Sequence, residues 1–142
     1  MKKITKIIIA VAALLLMLNS CEKNTDFDID KCMGDWDFVT EKITRTYIDS
    51  ELIEQRDTIY YLGTISDLGA NHSYNVIIQY TPGDCISSII DKHGNILTIG
   101  PGMNVKRGKF EGANKVHFNL GGYDYSNQEY IVVGTKRKGG EK

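Results

Sequence analysis

SYNVIIQYTPGDCISSIID, residues 73–91, is the stretch on which the fold turns. Over 73–80, Tyr74, Val76, Ile78 and Tyr80 fall on one face, and Ser73, Asn75, Ile77 and Gln79 on the other. A period of two with this many β-branched and aromatic residues is the signature of a strand. Pro82-Gly83 offers a fixed φ followed by the positive φ of a type II turn, so 73–80 is expected to pair with 85–91 as a hairpin.

The same period runs outward in both directions. It predicts strands over 36–48, 51–65, 73–80, 85–91, 95–100, 103–111, 114–120 and 128–137. Lys92-His93-Gly94-Asn95 and Gly112-Ala113-Asn114 place a glycine for a short bulged turn. The loop from Gly121 to Asn127 is longer and carries Tyr123 and Tyr125. Helix-forming stretches are missing from this region, where Ala70 and Ala113 are the alanines that remain. Strands joined in order by short links form a meander, and a meander escapes unpaired edges most simply by closing on itself. The expected fold is therefore all-β, an antiparallel eight-stranded meander barrel, small or partly open. A β-sandwich is the alternative.

Composition agrees with one ordinary globular domain. The chain has 142 residues, 42% hydrophobic and 25% charged, too apolar for a disordered tail. With 17 Lys+Arg against 18 Asp+Glu it lacks the basic excess that a nucleic-acid binder uses against phosphates. No nucleic-acid partner is expected.

The N-terminus reads as an address. Lys2, Lys3 and Lys6 precede an unbroken apolar run from Ile7 to Leu18. Twelve residues in a helix cover about 18 Å, short of a hydrocarbon core of ~30 Å. A basic segment before a short apolar one is the layout of a cleaved secretory signal peptide, here residues 1–20. Leu18-Asn19-Ser20-Cys21 then resembles the lipobox of bacterial lipoproteins. That resemblance implies that Cys21 becomes the mature N-terminus and carries a thioether-linked diacylglycerol, usually with a third, amide-linked chain. Two or three acyl chains make a durable membrane anchor, where one does not. Cleavage removes three lysines and no acid, leaving 14 Lys+Arg against 18 Asp+Glu, a net charge near −4. The implied location is the cell envelope, on the outer membrane at its periplasmic or surface face, held by lipid rather than by charge.

Residues 22–31, EKNTDFDIDK, are polar and acidic and read as a tether, so that 21–32 form a lipidated N-terminus and acidic linker. Asp26, Asp28 and Asp30 do not make a calcium loop, because Lys31 and Asp37 stand where an EF-hand needs Gly and Glu. The barrel domain is expected over 33–138, followed by a tail over 139–142.

Gly34-Asp35-Trp36 at the start of the first strand resembles the G-x-W signature that opens lipocalins and their calycin relatives. With the lipobox, it makes the chain similar to small lipocalin-like lipoproteins of Bacteroides-type bacteria. The resemblance implies that Trp36 packs at the closed end of the barrel. It also implies that a basic residue from the end of the last strand covers it, and Lys136, Arg137 and Lys138 stand there, Arg137 being the candidate. The family's C-terminal helix has no counterpart in this sequence.

Residues able to do chemistry are few. His72, His93 and His117 fall in a loop, a turn and a strand without metal-ligand spacing, so no metal or other cofactor is expected. There is no G-x-S-x-G, Ser87-Ser88 lies within a strand, and Gly100-Pro101-Gly102 precedes a strand rather than a helix N-terminus. An enzyme is not the reading; an envelope hydrolase would need a carboxylate pair that the spacing does not specify. Cys32 and Cys85 are candidates for a disulfide in an oxidising compartment, worth roughly 4 kcal/mol by chain-entropy reasoning, or else two buried thiols.

Eight tyrosines are the suggestive surplus. If Tyr74, Val76, Ile78 and Tyr80 point inward, they line a pocket for a small apolar or amphiphilic ligand, with Trp36 closing its base. If the barrel is instead filled by its own side chains, the chain is a non-catalytic structural or interaction lipoprotein whose protein partner meets the loops, with Tyr123 and Tyr125 as the contact. Eight-stranded barrels allow either, and a lumen of ~300 Å³ or more favours the ligand.

Overall fold

The computed structural model describes residues 26–69, 75–100, 103–121 and 127–138. Among them lie a single 3-10 turn, Ile29–Cys32, and eight strands. These are β1 Gly34–Ile48, β2 Glu51–Asp67, β3 Val76–Gln79, β4 Cys85–Ile90, β5 Asn95–Gly100, β6 Met103–Glu111, β7 Lys115–Leu120 and β8 Gln128–Lys136. They follow one another in chain order around a closed barrel, with β1 antiparallel to both β2 and β8. The expected meander barrel is what the chain forms, and the sandwich alternative falls away.

Alternation sets the core. Trp36, Phe38 and Thr40 of β1 point inward with Ile65, Val76, Ile78, Ile96, Phe110, Val116, Phe118 and Val132, all essentially buried. The inward apolar side chains supply the main drive to close the sheet, since burying each large one is worth about 1.5–3 kcal/mol. Two glycines let bulky rings into this narrow space. A Cβ on Gly63 would lie 1.9 Å from the Gln79 carbonyl oxygen, and one on Gly134 would lie 2.6 Å from Cε1 of Phe38.

One end of the barrel is closed. The chain enters there, and Phe27 is fixed by its N–H donating to the Lys92 carbonyl at 2.8 Å and by its ring 5.3 Å from that of Phe110. Trp36 lies above, its Nε1–H donating to the Cys32 carbonyl at 2.7 Å. Lys136 Nζ donates to the Lys31 carbonyl. So although 22–31 reads as a solvated tether, its second half packs: Phe27 and Ile29, with Met33 just beyond, lie half-buried against the core that Cys32 joins, and together they cap the base. The sequence showed no periodic face there because a 3-10 turn of four residues is too short to display one.

The β1–β2 hairpin continues well past the other strands. The β1–β8 ladder stops at Thr44↔Gln128, with the Arg45 N–H still donating to the Asn127 carbonyl at 2.7 Å, and β2 meets β3 only from Thr64 to Asp67, so beyond Arg45 the ribbon to its tip pairs only with itself among the described residues. Asp49 and Ser50 turn with φ of 50° and 70°, as a two-residue primed hairpin turn requires. Ile43 is 2% exposed although alternation puts it on the outer face. Its cross-strand neighbours are Arg56 and Glu129, and there Arg45 pairs with Glu54 and Glu129 while Arg56 pairs with Glu41 and Glu54.

The turns divide. Gly94 and Gly112 have φ of 77° and 66°, as the bulged turns need. Gly83 does not take the positive φ of a type II turn. Instead Thr81 Oγ1 accepts from the Asp84 N–H at 3.0 Å, and this side-chain contact shapes the wider 80–84 link between the expected partners.

Candidate functional site

The open end of the barrel holds a cavity of about 310 Å³, lined chiefly by Tyr80, Ile86, Thr98, Arg107, Leu120 and Tyr130, with Gln128 at the rim. Each comes from a different strand or strand end, so closure of the sheet is what brings them together. Tyr80 directly follows β3 and forms the floor, its ring edge-on to Phe118 at 5.5 Å and to Tyr130 at 6.0 Å. The Thr40 hydroxyl donates to its carbonyl at 3.3 Å. Burial, with the Asp84 carboxylate nearby, pushes the Tyr80 phenol above the ordinary range, so it stays neutral.

Polar groups gather at the rim. Arg107 Nε donates to Thr98 Oγ1 at 3.0 Å, and the Tyr130 hydroxyl donates to Gln128 Oε1 at 3.0 Å. Lys42 Nζ lies 5.8 Å from the centre of the Tyr130 ring. No carboxylate lines the cavity among the described residues. The arrangement is an apolar floor and wall beneath a polar, cationic rim.

Below this cavity the barrel is filled. Val76 and Ile78 point inward on the expected face but are 0% exposed and packed into the core, so of the predicted pocket residues that are described, Tyr80 alone reaches the cavity. Tyr74 lies outside the described residues, as do Cys21, His72, Tyr123 and Tyr125. The Ser88 hydroxyl is buried in the core without a hydrogen-bond partner among the described residues.

At the base, Trp36 is fully buried as expected, but Arg137 does not cover it. Its guanidinium pairs with Asp37 at 2.9 Å on the outside. Alternation is the reason: β1–β8 pairing sets Lys136 opposite Trp36, so the next residue is turned away. Cys32 and Cys85 are both free. Cys32 is enclosed beside Trp36, and burial pushes its thiol up to about 11, whereas Cys85 stands exposed at the start of β4. No bridge joins them. His93 and His117 are exposed, and His117 Nδ1 lies 3.1 Å from Glu111 Oε1.

Sequence reasoning did not name Ile86, Thr98, Arg107, Leu120, Gln128 or Tyr130 as site residues, and Arg107 was the hardest of them to find. The register of β5 and β6 slips between Ile96 and Leu97: Ile96 pairs with Gly108 and Leu97 with Lys106, leaving Arg107 as the extra residue of a bulge. A strict period of two cannot place a residue beyond such a slip. Leu120 and Tyr130 each continue the inward face of their strand, a signal that could have found them.

The fold and site together define a class: a meander barrel with a plugged base, a filled lower core and a small cavity at its mouth. Compared with protein-family models, with curated proteins and with solved structures, the chain matches none.

Proposed function

We propose that this chain is a lipid-anchored lipoprotein of the cell envelope whose lipocalin-like barrel holds a small apolar or amphiphilic molecule in its mouth, without catalysis. The observation that carries the reading is the cavity of about 310 Å³, an apolar pocket with a few convergent polar groups. That volume stands at the lower end of ligand sites. Tyr80, Ile86, Leu120 and Tyr130 hold the apolar part, and Arg107, Thr98 and Gln128 meet the polar end at the rim. The lipobox resemblance at Cys21 supports the anchor, and the buried Trp36 is compatible with the G-x-W resemblance.

Native mass spectrometry of the full chain from its own host, paired with Leu120→Trp, tests this. The expected result is a co-purified small molecule that leaves on denaturation and is absent from the variant, whose added ring fills the cavity. A ligand retained in full by Leu120→Trp would place binding elsewhere and overturn the reading.

A second reading has its own support. Tyr47, Ile48, Leu52 and Ile53 around the hairpin tip are 47–70% exposed, which favours a protein partner at that end. Pull-down by wild type but not by Leu52→Asp would bear on it directly.

A further inference from the structure

We infer that the barrel stands on the bilayer base-down, with its mouth and long hairpin turned towards the aqueous phase. This rests on the proposed acylation of Cys21, and the remainder is geometry. Phe27 is held in the base, its N–H bonded to the Lys92 carbonyl and its ring packed on Phe110. From there back to Cys21 a fully extended chain reaches about 20 Å. The nine residues of β8 run from mouth to base, and their eight rises, tilted by ~40°, cover about 20 Å of barrel axis. β1, at 15 residues, carries the hairpin tip further still. A lipid on Cys21 therefore reaches no further than the mouth with the tether fully drawn out, well short of a hairpin tip about 35 Å from the base, and each residue held extended costs conformational entropy.

The surface at the tether's exit suits such a seat. A groove of about 540 Å³ beside Phe27 is lined by Lys92, His93, Lys109 and His117, with Glu111 as its carboxylate. Cations at that place can meet lipid phosphates. The far hairpin carries Asp49, Glu51, Glu54 and Asp57 against Arg45 and Arg56, which anionic lipid repels. Asp26, Asp28 and Asp30 at the same exit offset these cations, so anchor length rather than net charge carries the orientation. A ligand then exchanges at the mouth with water or a soluble carrier rather than directly with the bilayer.

The test uses the full chain, acylated in a lipoprotein-processing bacterium and reconstituted in phosphatidylethanolamine–phosphatidylglycerol vesicles containing a headgroup nitroxide lipid. A fluorophore is attached at Lys115→Cys near the base or at Glu51→Cys near the tip, each with Cys85→Ser. The expected result is loss of most emission at position 115 and none at 51. Quenching at 51 equal to or above that at 115 overturns the inference. A variant with a long Gly-Ser insert between Lys23 and Asn24 should lose the difference between the two positions, and an unchanged difference would show that the short tether does not set the orientation. Cys21→Ser should leave the vesicles altogether. If it stays bound, or if the unaltered chain never joins them, the anchoring reading itself has failed, a result distinct from a wrong orientation.

Discussion

Replacing Trp36 by alanine removes the largest side chain of the base, and the loss can be worked from its surroundings. The indole is 0% exposed, lies 6.3 Å from the Phe38 ring and 6.0 Å from the Phe110 ring, and donates its N–H to the Cys32 carbonyl. Truncating a buried aromatic residue to alanine costs about 3–5 kcal/mol, through lost transfer energy and the cavity left behind. Trp36→Phe keeps most of the apolar filling but orphans the Cys32 carbonyl, for about 1–3 kcal/mol. With a urea m-value near 1.5 kcal/mol/M for a domain of this size, the alanine variant should lower the midpoint by about 2–3 M and the phenylalanine variant by no more than about 2 M. Because Trp36 is the only tryptophan, unfolding must be followed by circular dichroism, on the Cys21→Ser background so that no lipid intervenes. An alanine variant that loses less than about 1 kcal/mol would refute the claim that this residue closes the base.

Two further outcomes follow from single side chains. The Ser88 hydroxyl is buried without a partner among the described residues, so Ser88→Ala should leave stability unchanged or raise it by up to about 1 kcal/mol. A loss above that in thermal denaturation would show that the hydroxyl is satisfied in solution. The Cys32 thiol is pushed up to about 11 by burial from an ordinary 9.0, so the unfolded chain gives up this proton first. Its contribution to stability is complete below about pH 9 and is lost as the pH climbs towards 11. At pH 8 iodoacetamide should alkylate Cys85 in the native chain and reach Cys32 only after denaturation. Native modification of Cys32 would contradict its burial.

The strands were legible because their signal is local. Alternation along 73–80, and through β7 as Val116, Phe118 and Leu120, depends only on successive side chains pointing to opposite faces. Glycine positions gave away two turns for a similar reason, whereas the Asp49–Ser50 turn takes positive φ without glycine and left no such mark. Misplaced expectations share a different cause. Arg137 and Val76 were assigned by which end or face they occupy, but a single step of alternation turns the first outward and closure of the sheet fills the space around the second. Ile43 sits on an outer face and is buried there beside charged neighbours on three strands, which no one-strand pattern can register.

By itself the sequence determined that the chain is all-β, that its strands pair in order, and which residues of the 73–80 stretch share a face, because these follow from propensity and the pleat. Tertiary structure alone decided where the interior is full and where it is hollow. The bulge that brings Arg107 to the mouth, the 3-10 turn that plugs the base and the rings packed above Trp36 are all consequences of which strands meet at what register. Cavity volume is what remains after packing between distant residues, and no stretch of sequence contains it.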